Sequence, residues 1–368
     1  MRISVDASPL LLRSAGVKNY LYYWIHALQR TSRGNAVEAY PFIGNLGELT
    51  HESSVMNLMH TVPRIAWLLA SNRFSTARRM ATGDASVFHV TNQVHGGVKG
   101  KALTATVHDM TCWLMPEFHT PGNIIADKRF AERILTRADG LIAVSENTRQ
   151  DAIRLLHLNP DKIVAIHSGV PDDYFQVTDA EAVRVRTQLK LPKPFILHIG
   201  TVEPRKNLDA LLDAYLLLSP SVREGVDLVF AGPMGWAAGT TSKRILSGLP
   251  GVRYLGYVPE SDLPGLTRAA EVFAYPSLYE GFGFPVAQAM AAGVPVLTSS
   301  NSCLPEVTGA GAVHVDPHSP SGIRDGLEKL LLSPGTAAAV ATAGRLKAEE
   351  YRWDRCAARS WQFFQQFA

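Results

Sequence analysis

The sequence predicts an α/β protein built from two successive parallel sheets, each covered by helices on both faces. Three observations carry this. Short runs that are apolar at nearly every position alternate with amphipathic helical patterns along most of the chain, and strands apolar on both faces belong to parallel sheets. The alternation comes in two series, separated by a polar stretch bounded by Pro171 and Pro194. The length, 368 residues, exceeds what one hydrophobic core commonly serves.

In the first series, strands are expected at residues 3–6, 37–43, 86–90, 103–107, 140–144 and 163–166. Between them lie helical patterns at 17–29, with Tyr20, Trp24, Ile25 and Leu28 on one face, and at 123–137. The second series places strands at 195–199, 227–231, 252–255, 272–275, 294–298 and 312–315, with helices at 208–217 and 321–332. The resulting division is an N-terminal domain over 1–175 and a C-terminal domain over 176–350, with 171–194 as the linker region. The aromatic helical segment at 351–368, carrying Trp353, Trp361, Phe363, Phe364 and Phe367, is expected to pack back on the first domain.

Composition narrows the class. A chain that is 46% hydrophobic and 19% charged, with no low-complexity tract, is an ordered globular protein. No apolar run approaches the ~20 residues of a membrane span, and Arg2-Ile3-Ser4-Val5 enters a strand without a signal-peptide pattern, so a cytoplasmic location is expected. Cys112, Cys303 and Cys356 are widely spread and read as buried free thiols. The net charge of +3 is uneven: residues 1–80 hold nine Lys and Arg against four Asp and Glu. That bias is too small for nucleic acid but suits an anionic lipid surface. Residues 64–80 combine Arg64, Arg73, Arg78 and Arg79 with Ile65, Trp67, Leu68, Leu69 and Phe74, as an interfacial helix would, although the two sets do not separate on a helical wheel.

The chemistry concentrates at strand ends. Residues 275–296 form a glycine-rich loop with one acid, Glu280, followed by a helix from about Pro285. Gly281 and Gly283 let backbone approach a ligand, and the N–H groups at the helix start favour phosphate or sugar oxygens. Arg205 and Lys206 close the first strand of the second series as a planar fork and a point charge, a pair suited to phosphate, while a solvated basic turn is the plainer reading. His108-Asp109 ends another strand, where a structural histidine is the alternative. Ser14-Ala15-Gly16-Val17 opens a helix but lacks the Gly-x-Gly-x-x-Gly pattern of dinucleotide enzymes, and Gly256-Tyr257-Val258-Pro259 offers backbone to a nucleotide base. No Asp-x-Asp or Cys-x-x-Cys grouping suggests a metal site. Gly96 to Lys101 misses P-loop spacing and is followed by Ala102, and His51-Glu52 lacks the second histidine of a zinc protease, since Val55 stands there.

In their order of appearance, Gly16, His108-Asp109, Val144-Ser145-Glu146, Gly169-Val170, Gly200 through Asn207, Gly256-Tyr257-Val258 and Glu280-Gly281-Phe282-Gly283 resemble family-4 retaining glycosyltransferases of the GT-B fold over nearly the whole chain. That resemblance implies two Rossmann-like doubly wound domains facing a cleft and a nucleotide-sugar donor. It implies further that Arg205 and Lys206 neutralise the leaving diphosphate, and that Glu280 holds donor-sugar hydroxyls beside the amides of Gly281, Phe282, Gly283 and Phe284. His108 would stand near the donor sugar, Gly16 would close over the diphosphate, and Val258 would meet the base. Metal-independent chemistry without a cofactor follows from the same likeness, and the nearest members in character are bacterial O-antigen and polysaccharide enzymes using GDP-mannose rather than UDP-sugars. Expected partners are a saccharide or lipid-linked saccharide acceptor and the inner membrane face. One position departs: the second acid of the Glu-x7-Glu motif is Gln288, with one acceptor oxygen and no charge. A nucleotide-sugar epimerase on the same fold and a weakly active partner subunit are the competing readings.

Overall fold

In the computed structural model, which describes residues 1–12, 16–44, 46–49, 53–91, 94, 96–235 and 239–367, the strands assemble into two six-stranded sheets. The first contains β1 (Arg2–Asp6), β2 (Ala36–Tyr40), β3 (Val87–Val90), β4 (Ala102–Val107), β5 (Gly140–Ala143) and β6 (Ile163–Ala165), in the order β2-β1-β3-β4-β5-β6. The second contains β7 (Phe195–Ile199), β8 (Asp227–Ala231), β9 (Val252–Tyr254), β10 (Val272–Tyr275), β11 (Val296–Ser299) and β12 (Ala312–Val315), in the order β12-β11-β10-β7-β8-β9. Every strand pairing within the two sheets is parallel. Full burial of β5 and β10 explains their continuous apolar character, and β3, β8 and β11 are as fully buried although they carry His89, Asp227, and Thr298 with Ser299.

The order of each sheet locates its crevice. In the second sheet the chain winds outward from β7 through β8 to β9, then returns to β10 on the other side of β7. The strand order therefore reverses between β7 and β10, and the loops after their carboxyl ends diverge there to leave a ligand site. In the first sheet the corresponding reversal lies between β1 and β3.

Contacts divide the chain into two compact units, Met1–Gly169 with Trp353–Ala368, and Val170–Arg352. In the first, the Trp353–Gln365 helix lies against the Gly16–Arg30 helix: Trp24 Nε1 donates to Ser360 Oγ at 3.0 Å and Trp361 Nε1 to the Leu28 carbonyl at 3.3 Å. In the second, Phe230, Leu211, Leu212, Tyr215, Ile323 and Leu327 fill the space between sheet and helices.

Three local expectations are corrected. The stretch 171–194 is not an extended linker: it holds helices Asp172–Gln176 and Asp179–Gln188, the second started by a reciprocal capping box between Thr178 and Glu181. Residues 64–80 are not one helix. A helix spans Leu58–Arg73, breaks at Phe74 in extended conformation (φ −124°), and resumes as Ser75–Ala81. The strand expected at 294–298, β11, starts two residues late, because Gly293 turns at φ +72° and Val294 N–H still caps the preceding helix through the Ala289 carbonyl. Ser14, Ala15, His51 and Glu52 lie outside the described residues. Lys101, of the glycine run 96–101, donates to the Gly83 carbonyl at 2.8 Å, a structural use. All three cysteines are buried and free, and among the described residues no helix is long and apolar enough to cross a membrane.

Candidate functional site

The loops at the β7–β10 reversal carry four charges in contact. After β7 the chain makes a short turn at Pro204–Lys206 and leaves it through Asn207 in the left-handed region (φ +58°), a conformation held by Asn207 Nδ2 donating to the Pro276 and Pro317 carbonyls at 3.0 and 2.7 Å. The β10 loop is tied to the same turn, since Leu278 N–H donates to the Arg205 carbonyl at 2.9 Å. These bonds set the geometry of the side chains. Lys206 Nζ donates to Glu280 Oε1 at 2.7 Å and Arg205 Nη1 lies 2.9 Å from Glu280 Oε2. Arg205 also donates through Nη1 to the Tyr279 carbonyl and through Nη2 to Glu203 Oε1, both at 2.7 Å. Ser277 Oγ donates to Glu280 Oε1 at 2.6 Å, and Tyr275 Oη accepts from Lys206 Nζ at 2.7 Å.

Glu203, Lys206 and Glu280 are buried, and for Lys206 and Glu280 burial works against the charge. For Glu280 that penalty is outweighed by Arg205, Lys206 and the hydrogen bonds from Lys206 and Ser277, which hold its carboxyl down at about 2. Burial and the neighbouring Arg205 pull the Lys206 ammonium below its ordinary range, opposed by Glu280 and Glu203. The two shifts pull in opposite senses for one ion pair. Because Lys206 has Glu280 at 2.7 Å and Glu203 at 4.0 Å, the pair is read as charged at neutral pH. Two cations and two carboxylates then balance.

Beyond Glu280 the loop turns at Gly283 (φ +84°), where a Cβ would sit 2.9 Å from Leu304 Cδ2, so only glycine fits. The Phe284–Ala291 helix follows, with Pro285 in its first turn. Gly281, Phe282, Gly283 and Phe284 are thus joined to the cluster through Glu280. Gln288 lies further along this helix and is buried, with no side-chain hydrogen bond among the described residues. Val258 is buried in the loop after β9. Glu203 was absent from the expected site residues. The only signal for it in the sequence was an acid three residues before Lys206 in the same turn.

His108 and Gly16 belong to the first unit. His108 follows β4 and lines a cavity of about 130 Å³ with Thr91, Thr106, Asp109, Trp113 and Asp127. Burial takes its imidazole down to about 4, against the pull of Asp109, so it is neutral at pH 7, and its Nε2 has no hydrogen-bond partner among the described residues. Gly16 is the exposed first residue of the Gly16–Arg30 helix. At the β1–β3 reversal, buried Asp6 accepts from Ser8 N–H at 3.1 Å and from Thr91 Oγ1 at 2.9 Å. A larger depression of about 420 Å³ in the second unit, lined by Arg268 and Arg345, is structural: Arg268 pairs with Asp179 at 2.9 Å, and Arg345 donates to the Ala291 and Phe175 carbonyls. Among the described residues no group of three or more His, Cys, Asp or Glu could hold a metal ion.

Two family models match the chain, one described as Glycosyltransferase Family 4 over residues 14–174 and one as Glycosyl transferases group 1 over residues 179–347. The O-antigen chain mannosyltransferase B of Escherichia coli is 34% identical over 70% of this chain and 68% of its own length. The serotype-specific mannosyltransferase WbdA of Escherichia coli is 31% identical over 53% of this chain, which spans only a quarter of that longer protein. Among solved structures, the sucrose-phosphate synthase of Thermosynechococcus elongatus superposes with a TM-score of 0.73 at 19% identity, covering 100% of this chain and 98% of that one, a likeness of fold.

Proposed function

The chain belongs to glycosyltransferase family 4, and on that premise we propose that it is a retaining, metal-independent hexosyltransferase acting in polysaccharide or O-antigen synthesis. It moves mannose or a related hexose from a nucleotide-diphosphate donor, GDP-mannose in preference to UDP-sugars, to a saccharide or lipid-linked saccharide. The observation that carries this is the contact of Arg205, Lys206 and Glu280 at the point where the second sheet's strand order reverses.

Transfer from a nucleotide sugar puts positive charge on the anomeric carbon and negative charge on the departing diphosphate. Arg205 and Lys206 suit the second, and the ionised Glu280 accepts from donor-sugar hydroxyls. The acceptor hydroxyl bonds to the anomeric carbon on the face the diphosphate leaves, its proton passes to the departing phosphate oxygen, and configuration is kept. His108, neutral at pH 7, supplies a hydrogen bond toward the donor sugar. The mannose preference is supported by the names of the two Escherichia coli relatives.

The site of action is proposed to be the inner membrane face. On the Leu58–Arg73 helix, Met59, Val62, Ala66, Leu69 and Arg73 are exposed at spacings of three and four, one outward stripe, while Leu68 faces inward. This explains why the sequence alone did not separate into two faces. Neither this helix nor Ser75–Ala81 holds an acidic residue, and Phe74, Arg79 and Met80 continue the exposed surface.

The test is release of the nucleoside diphosphate from GDP-mannose, UDP- and ADP-sugars, and of CMP from CMP-sugars, with the product's anomeric configuration read by NMR. Retained configuration with GDP-mannose as the best donor is expected. Interconversion of the sugar nucleotide would make the protein an epimerase, inversion would overturn the retaining mechanism, and no turnover on any donor would leave the partner subunit to which Gln288 points.

A further inference from the structure

We propose that Glu203 is a charge-balancing positioning residue that sets how tightly the cationic pair holds a diphosphate, and this rests on the reading of Arg205 and Lys206 given above. The geometry is specific. Glu203 Oε1 takes the Nη2 arm of Arg205 at 2.7 Å and lies 4.0 Å from Lys206 Nζ, while Glu280 takes both the other arm and the ammonium. Glu203 is 5% exposed, so its charge is poorly screened by water.

Glu280 alone would leave the two cations with a surplus of one positive charge. Glu203 removes that surplus, so an arriving diphosphate meets a neutral cluster and gains attraction only as the guanidinium turns from one carboxylate toward phosphate. A site that must also release its nucleoside diphosphate product benefits from this balance, because a strongly positive site would retain the product. Glu203 acts through Arg205 and Lys206 and has no assigned contact with the reacting atoms.

Glu203→Gln keeps an acceptor oxygen for Arg205 and deletes one charge. Isothermal titration with the nucleoside diphosphate of the preferred donor, GDP on the present reading, is expected to give about tenfold tighter binding than the parent, with a steeper salt dependence, as one unbalanced buried charge implies. Donor KM and kcat should fall together as product release slows. Glu203→Asp, which keeps the charge, should bind like the parent. Equal or weaker binding by Glu203→Gln overturns the proposal and leaves Glu203 a merely orienting residue. Should that variant fail to fold, Glu203→Ala carries the same expectation and the same disproof. Arg205→Ala is run beside them: undiminished diphosphate binding there would instead sink the placement of the diphosphate, which separates the two failures.

Discussion

Lys206 and Glu280 meet at 2.7 Å across 74 positions of sequence, each in a loop that leaves a different strand of the same sheet. Both are buried, so neither is in the site on the terms of a solvated side chain. Removing one partner of such a pair costs about 3–5 kcal/mol, because the other is left uncompensated. Glu280→Ala is therefore expected to lose transfer and also to lower the melting point of the second unit by roughly 10 °C, at about 2–4 °C per kcal/mol for a unit of this size. Thermal melting of the parent, Glu280→Ala and Glu280→Gln checks this. An unchanged melting point in Glu280→Ala would mean that the ion cluster is not closed in solution.

Acid should act on the buried histidines before it reaches Glu280. Burial lowers His108 to about 4 and His89 and His198 to about 3, from an ordinary 6.5. Each is a base that the unfolded chain protonates first, so its contribution to stability is full above pH 6.5 and is lost as pH falls toward 4 and then 3. Glu280, lowered from 4.5 to about 2, contributes fully above 4.5 and loses its share only below that. Denaturant titrations at a series of pH values should show a plateau above 6.5 and a decline of several kcal/mol by pH 4, since each pKa unit is worth about 1.4 kcal/mol. Stability that is flat from pH 7 to 4.5 would contradict the burial of these rings.

Gln288→Glu restores the carboxylate that the family motif has at this position. If residue 288 meets ribose hydroxyls, a charged acceptor exceeds a neutral one by about 1 kcal/mol, and donor KM should fall about fivefold with kcat little changed. A donor KM that does not move would remove Gln288 from the nucleotide site.

The sheets were legible in the sequence because parallel strands buried on both faces carry an unbroken apolar signal, as β5 and β10 do. Arg205, Lys206 and Glu280 were legible because they stand at strand ends, where loops in such sheets carry chemistry. Glu203 was not. An acid in a polar turn reads as solvated, and only the Pro204–Lys206 turn with left-handed Asn207 after it folds that acid back onto Arg205. The helices within 171–194 were hidden by polarity and bounding prolines, although Thr178 and Glu181 spelled the capping box that starts one of them. The break at Phe74 has no helix-breaking residue to announce it. It follows from Phe74 N–H closing one helix on the Ala70 carbonyl while Ser75 opens the next.

The outward stripe of the Leu58–Arg73 helix gives the membrane reading its sharpest consequence. Met59 is 86% exposed and Leu69 66%, so replacing both leaves the core intact while deleting two of the large apolar side chains a bilayer would bury. At about 25 cal/mol per Å² of apolar area, loss of two such side chains weakens partitioning by roughly 2–4 kcal/mol. Met59→Ser with Leu69→Ser should therefore cut sedimentation with phosphatidylglycerol-containing vesicles by tenfold or more, at about 1.4 kcal/mol per factor of ten. Release of nucleoside diphosphate with a water-soluble acceptor should stay at the parent level. Arg73→Gln should have a smaller effect that disappears on neutral phosphatidylcholine vesicles, because a single surface charge near an anionic bilayer is worth about 1 kcal/mol. Parent protein that fails to bind anionic vesicles at low salt, or a double variant that binds as the parent does, would show that this stripe meets some surface other than lipid.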